Sequence, residues 1–133
     1  MSISDFYVAF RRKRGNTTND QREVKAADLG VLAGAKILTI SDSSLILDSE
    51  AHHGRILDFT SSSAVTVTVA PGLRPDFFCG ISQGGAGQVT LSPAVGVSLV
   101  EQNIQFKTAQ RYAMLSLIAF TLNSYRLFGN TAA

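Results

Sequence analysis

The chain has no tryptophan, one cysteine, three prolines and two histidines in 133 residues. A single thiol, Cys79, cannot form an internal disulfide, so nothing in the sequence calls for an oxidising compartment. It lies in the apolar run 77–81 and reads as a small buried hydrophobe. No apolar run approaches the ~18–20 residues of a membrane span. The longest, residues 112–122, is too short and carries Ser116 and Thr121. Basic residues from Arg11 onward interrupt any apolar leader core, so neither a secretory signal nor a membrane partner is expected.

Groups suited to catalysis are equally scarce. His52 and His53 are adjacent, and on a strand adjacent side chains point to opposite faces, which does not suit one metal ion. With one cysteine besides, a closed zinc site would need remote carboxylates. Nothing in the sequence forces Asp48, Glu50 and Asp58 together, and Ser61-Ser62-Ser63 reads as a polar turn. The glycines of Gly84-Gly85-Ala86-Gly87 lead into a strand pattern with no lysine after them. A phosphate loop needs a helix N-terminus there, so a tight turn is the expected role. The reading is a non-enzyme with no cofactor and no metal.

What the chain does have is charge at one end and alternation at the other. Six basic residues stand against four acidic ones before Gly30, and the rest balances six against six, so the formal +2 sits entirely in the first segment. Residues 1–35 are therefore read as an N-terminal attachment arm, with Phe6, Tyr7 and Phe10 ahead of Arg11-Arg12-Lys13-Arg14. Aromatics and arginines dominate interface energetics, which makes these seven residues the candidate partner-binding set. The basic run is either solvated, docked on an acidic protein surface, or in contact with nucleic acid. The last is the least favoured, because no reading module accompanies it. Asp20 and Glu23 could open a short capped helix, or the stretch around residues 24–32 could run extended.

From Lys36 the apolar period becomes two. Val65-Thr66-Val67-Thr68-Val69 is the clearest strand, with valines on one face and threonines on the other. Val89 and Leu91 point inward in the next clear one, and Ile104 with Phe106 suggests another. Residues 112–120 are apolar on both faces, so the strand is expected to be either central in a sandwich or covered by another subunit. Tyr112, Met114, Leu115, Leu117 and Ile118 are the candidate oligomer interface. A turn at Asn123-Ser124 leads to the last strand. No internal repeat is evident. The expected fold is all-β, an antiparallel sandwich or barrel of about 8–10 short strands over residues 36–133, with an extended N-terminal arm.

Several segments resemble a β-module of tailed-bacteriophage virion proteins. Gly54-Arg55-Ile56-Leu57-Asp58-Phe59-Thr60-Ser61 and Ala64-Val65-Thr66-Val67-Thr68-Val69 are similar to its opening. Gly85-Ala86-Gly87-Gln88-Val89-Thr90-Leu91-Ser92 and Gly96-Val97-Ser98-Leu99 are similar to its middle. Lys107-Thr108-Ala109-Gln110-Arg111-Tyr112-Ala113 and the stretch from Leu122 to Asn130 are similar to its end, with Tyr125 where the module often has tryptophan. The resemblance implies a virion protein made in the host cytoplasm, a homotrimer that decorates or cements the capsid and binds the major capsid protein or another virion protein. A tail or neck fibre or adaptor is the first alternative, and a carbohydrate-binding module, from another class, the second.

Overall fold

Period-two alternation becomes eleven short strands and one helical turn in a computed structural model that describes residues 36–133. The arm, including Phe6, Tyr7, Phe10 and Arg11 to Arg14, and the helix-or-extended segment after Asp20 lie outside the described residues. In order the elements are β1 Lys36–Ile40, β2 Ser44–Ile46, α1 Ser49–His52, β3 Arg55–Phe59, β4 Val65–Val69, β5 Phe78–Gln83 and β6 Val89–Pro93. They continue with β7 Ser98–Val100, β8 Lys107–Thr108, β9 Met114–Thr121, β10 Ser124–Gly129 and β11 Thr131–Ala132.

The all-β class is observed; the antiparallel sandwich or barrel is not. The chain winds as a β-solenoid in which successive strands alternate between two sheets. One sheet has the order β1-β3-β5-β9-β10-β7, the other β11-β8-β6-β4-β2. Its first three coils stack in parallel: β1 on β3 on β5, and β2 on β4 on β6. Antiparallel pairing appears only afterwards, where the β9–β10 hairpin and β8 close the stack. A hairpin needs only a two-residue turn, whereas parallel neighbours need a long connection. Here the strand in the opposite sheet is that connection.

A structural repeat underlies the stack. Partners from Ile56↔Gly80 through Phe59↔Gln83, and from Val65↔Val89 through Val69↔Pro93, keep one constant offset of 24 positions. The whole second coil is therefore copied onto the third without insertion. The interior consists of aligned apolar columns. Leu57, Ile81 and Leu115 form one such row across one sheet, and Leu45, Val67 and Leu91 one across the other. Gln83 occupies the place below Phe59 and is buried, but its polar ends are satisfied. Its Nε2 donates to the Gly85 carbonyl, and the buried Thr108 hydroxyl donates to its Oε1. Cys79 is inside, and burial pushes its thiol up to about 12, so it packs as an inert hydrophobe. The Tyr125 hydroxyl is buried with no partner among the described residues.

Corners between coils explain the glycine-rich run. Gly85 N donates to Phe59 O at 2.9 Å and Gly87 N to Ser61 O at 3.0 Å, so the run lies directly on Thr60-Ser61-Ser62-Ser63 of the coil before. A methyl group on Gly85 or Gly87 would overlap the backbone of residues 60–63. The glycines are there because a backbone approaches closely, not to hold a phosphate.

Two local expectations change. Ile104 and Phe106 do not form a strand: Ile104 is exposed at φ 57, in a turn held by Glu101, whose Oε1 accepts from Asn103 N (2.7 Å) and Gln105 N (2.8 Å). The final turn sits at Leu122-Asn123, one residue earlier than expected, with Asn123 at φ 60 and a register shift between Ser124 and Tyr125 beside it.

Glu101 also accepts from the Thr131 hydroxyl at 2.9 Å, tying the turn to the C-terminal strand. The Gln105 amide, then the Asn103 amide and the Thr131 hydroxyl, hold its carboxyl below the usual range. A depressed folded-state value adds stability above the unfolded value of about 4.3, and that stability is lost as pH falls through the folded value. His52, whose pKa burial lowers, adds a separate acid loss that begins below about 6.5. Glu101→Gln should therefore melt below the wild type at pH 6, with the gap closing toward pH 3. A gap that is constant over this range would mean the charge on Glu101 does not contribute.

Candidate functional site: an apolar sheet face

The two sheets present opposite outer surfaces. On the five-stranded sheet, one outward row reads Ser44, Thr66, Thr90, Lys107, Ala132 and the next Ile46, Thr68, Ser92. Hydroxyl groups dominate it, as expected for a face in water.

The six-stranded sheet is different. Strand parity turns Leu57, Phe59, Cys79, Ile81, Leu115, Leu117, Tyr125 and Leu127 into the core. The alternate positions face out, and register sets them in three rows. One row runs Phe78, Ile118, Arg126, Val100. The middle row runs Ile37, Ile56, Gly80, Ser116, Phe128. The third runs Thr39, Asp58, Ser82, Met114. Phe120 extends the surface on β9 beyond Ile118. Met114 is 44% exposed, Phe128 48% and Ile37 62%. Scattered exposed apolar residues are ordinary, but here they gather in two of three outward rows of one sheet, which makes this face the candidate surface.

Details of the face agree with a packing role. Gly80 is bare, and the Ile56 side chain lies close beside it, with Cγ1 3.1 Å from the position a Cβ would take. His53 stands at one margin, its ring edge-on to Phe78 at 4.9 Å and its Nδ1 accepting from Phe78 N at 3.3 Å. Burial, then the nearby Arg74, lowers its pKa. His52 Nδ1 likewise accepts from Asp48 N at 2.9 Å, so one nitrogen of each imidazole is taken by a backbone amide. Among the described residues no group of three metal-type ligands comes together. Only two charged side chains lie at outward positions of this sheet, Asp58 and Arg126. Asp58 accepts from the Ser82 hydroxyl at 3.0 Å, and the Arg126 guanidinium sits 4.3 Å from the Phe120 ring centroid.

The expected interface set divides. Met114 and Ile118 are on the outer face of β9. Leu115 and Leu117 lie within the chain's own core, 1% and 0% exposed, and have no surface left for a partner. Tyr112 precedes β9, exposed at φ 71 with the Arg111 guanidinium beside its ring, at the corner next to Gly84. Ile37, Ile56, Phe78 and Phe128 were missed as members of this surface. Each is an apolar residue at the outward position of a strand whose inward positions are also apolar, the signal that singled out residues 112–120. No helix among the described residues is long and apolar enough to cross a membrane. No family model matches the chain, and no curated protein matches it.

Proposed function

We propose that this chain is a structural protein of a tailed-phage virion that decorates or cements the capsid exterior and acts through protein–protein contacts. The observation that carries the reading is the apolar outer face of the six-stranded sheet. A surface of this kind is stable in water once another protein covers it. The resemblance supplies the setting. Its segments fall on the second coil, on the third coil with its glycine corner, and on the closing hairpin.

In this reading copies associate as a homotrimer through the outer face around Met114 and Ile118. Residues 1–35 attach the trimer to the major capsid protein or another virion protein. Phe6, Tyr7 and Phe10 act as anchors, and Arg11, Arg12, Lys13 and Arg14 meet acidic surface. Three arms on one trimer multiply a weak contact by effective concentration. The protein would reside in the virion after synthesis in the host cytoplasm.

Antibody labelling of purified particles tests this. Label spread over the capsid, lost when residues 1–30 are deleted from the protein added back to undecorated particles, is the expected result. Label confined to the tail would reassign the protein to a fibre or adaptor role. Particles that carry no label would overturn the virion reading.

A further inference from the structure

One corner of the six-stranded sheet keeps a large ring in water at a place where folding alone would favour glycine. Residues 110–113 form a turn closed by Ala113 N, which donates to Gln110 O at 3.1 Å. Its third residue, Tyr112, has φ 71. Turns with a positive φ there take glycine or asparagine, because a larger side chain crowds the backbone. The ring is nevertheless 72% exposed and adds little to the core. Tyr112 N donates to Gln83 O at 2.7 Å, which holds the strained residue in place beside Gly84. Strain of this kind, kept without a packing reward, points to a role outside folding. Ile104 is also exposed at a positive φ, but Glu101 beside it is spent on its own turn and on Thr131.

The groups around Tyr112 are not spent. Arg111 Nε donates to Gly84 O at 3.2 Å, and its guanidinium carbon lies 5.0 Å from the Tyr112 ring centroid. These contacts orient the fork and leave both Nη groups with no partner among the described residues. The Asp58 carboxylate lies against the bare α-carbon of Gly84, where a methyl group would overlap it. Its Oδ1 accepts from the Ser82 hydroxyl at 3.0 Å, and Oδ2 has no partner among the described residues. The two charges do not neutralise each other, since the one ion pair among the described residues is Arg74–Asp76. An aromatic face, a cationic donor and an anionic acceptor therefore gather about Gly84. They stand at the row that holds Thr39, Asp58 and Ser82, outside the two apolar rows.

We infer that this corner binds a neutral saccharide, with Tyr112 as the stacking platform and Arg111 and Asp58 as its hydrogen-bonding partners. The inference does not depend on the assembly role of the apolar face. A sugar hydroxyl both donates and accepts, so one ring can accept from the Arg111 fork and donate to the Asp58 carboxylate. The apolar face of the same ring can lie on the side of Tyr112 that Arg111 leaves open. Mixed charge selects for neutrality. An anionic sugar or a nucleic acid would meet Asp58, and a cationic ligand would meet Arg111, each against like charge. Gly84 is part of the site because only a residue without a side chain leaves the carboxylate its place. An open platform with so few polar partners binds one sugar weakly, and several copies on one polymer multiply that contact.

Biolayer interferometry of the full chain on immobilised dextran, mannan and galactan tests this, with polygalacturonate as the anionic comparison. At least one neutral polymer should bind the wild type, with little dependence on salt. Tyr112→Gly removes the ring and relieves the positive φ, so its melting temperature should hold or rise while neutral binding weakens about tenfold or more. Arg111→Gln and Asp58→Asn should each weaken binding by roughly a few-fold. Polygalacturonate can also draw the basic run Arg11 to Arg14, and Tyr112→Gly should leave any such response unchanged. Three neutral polymers that all fail to bind would overturn the proposal, as would a Tyr112→Gly chain that binds them like the wild type. A Tyr112→Gly effect confined to polygalacturonate would overturn the neutral class. If Tyr112→Gly leaves neutral binding intact but shifts sedimentation of the protein alone, the ring belongs to a contact between copies instead.

Discussion

Gly87→Ala should be among the most destabilising single-methyl changes this domain can receive. Gly87 does not need an unusual backbone angle, so the cost is steric. The added carbon would coincide with the Ser63 carbonyl, a backbone group in the coil below. That carbonyl cannot rotate away as a side chain could, and the Gly87 N to Ser61 O bond holds the two corners together. Overpacking of this kind typically costs about 1–3 kcal/mol, and rigid backbone on both sides puts the change at about 3 kcal/mol or above. For a domain of this size that is a fall in melting temperature of roughly 10–20 °C. Gly72→Ala is the control. A Cβ there meets nothing within 4 Å, but Gly72 has φ +79, so only the torsional penalty of about 1 kcal/mol applies. Calorimetry of both variants should show Gly87→Ala the worse by far; equal losses would mean the corners are not stacked as described.

Val67→Asp should abolish folding. Val67 is fully buried between the sheets, with Leu45 and Leu91 beside it in the same inward row. A carboxylate there has no partner, and burying it or forcing it to protonate costs several kcal/mol on top of the lost apolar contact. A domain of this size has about 5–15 kcal/mol in total. One residue away, Thr66→Asp should leave a folded protein with near-native melting, because Thr66 is exposed on the outer face beside Ser44 and Thr90. Circular dichroism on the pair tests strand parity directly. A soluble, native-like Val67→Asp would show that the inward and outward faces are assigned the wrong way round.

Parity was readable in the sequence because alternation along a strand depends only on which face is wet. Val65 to Val69 and Val89 with Leu91 show it plainly. Partner direction was not readable, since Val-Thr-Val alternates identically beside a parallel or an antiparallel neighbour. The 24-position offset was hidden for a related reason. Coil positions demand an apolar or a small residue, not a particular one, so Leu57 is matched by Ile81, Val67 by Leu91 and Ser63 by Gly87. Paired Val-x-Val and Val-x-Leu segments 24 residues apart were the visible trace. Ile104 and Phe106 mimicked a strand because alternation also arises in a turn, where Glu101 gathers the amides of Asn103 and Gln105. Of the assembly surface, β9 was legible from its two apolar faces. The rest was not, because Ile37, Phe78 and Phe128 come onto one sheet face only once the coils stack.

Methionine oxidation reads the state of that surface most directly. Met114 lies on the outer face of β9, partly exposed in the single chain, and its thioether reacts with peroxide in proportion to its access to solvent. If copies cover the apolar face, Met114 should oxidise much more slowly than a methionine in a short peptide at high protein concentration, and should speed up on dilution as the assembly comes apart. Oxidation of Met114 at one rate, unchanged from nanomolar to high micromolar protein, would show that the face stays open to water and would contradict the account.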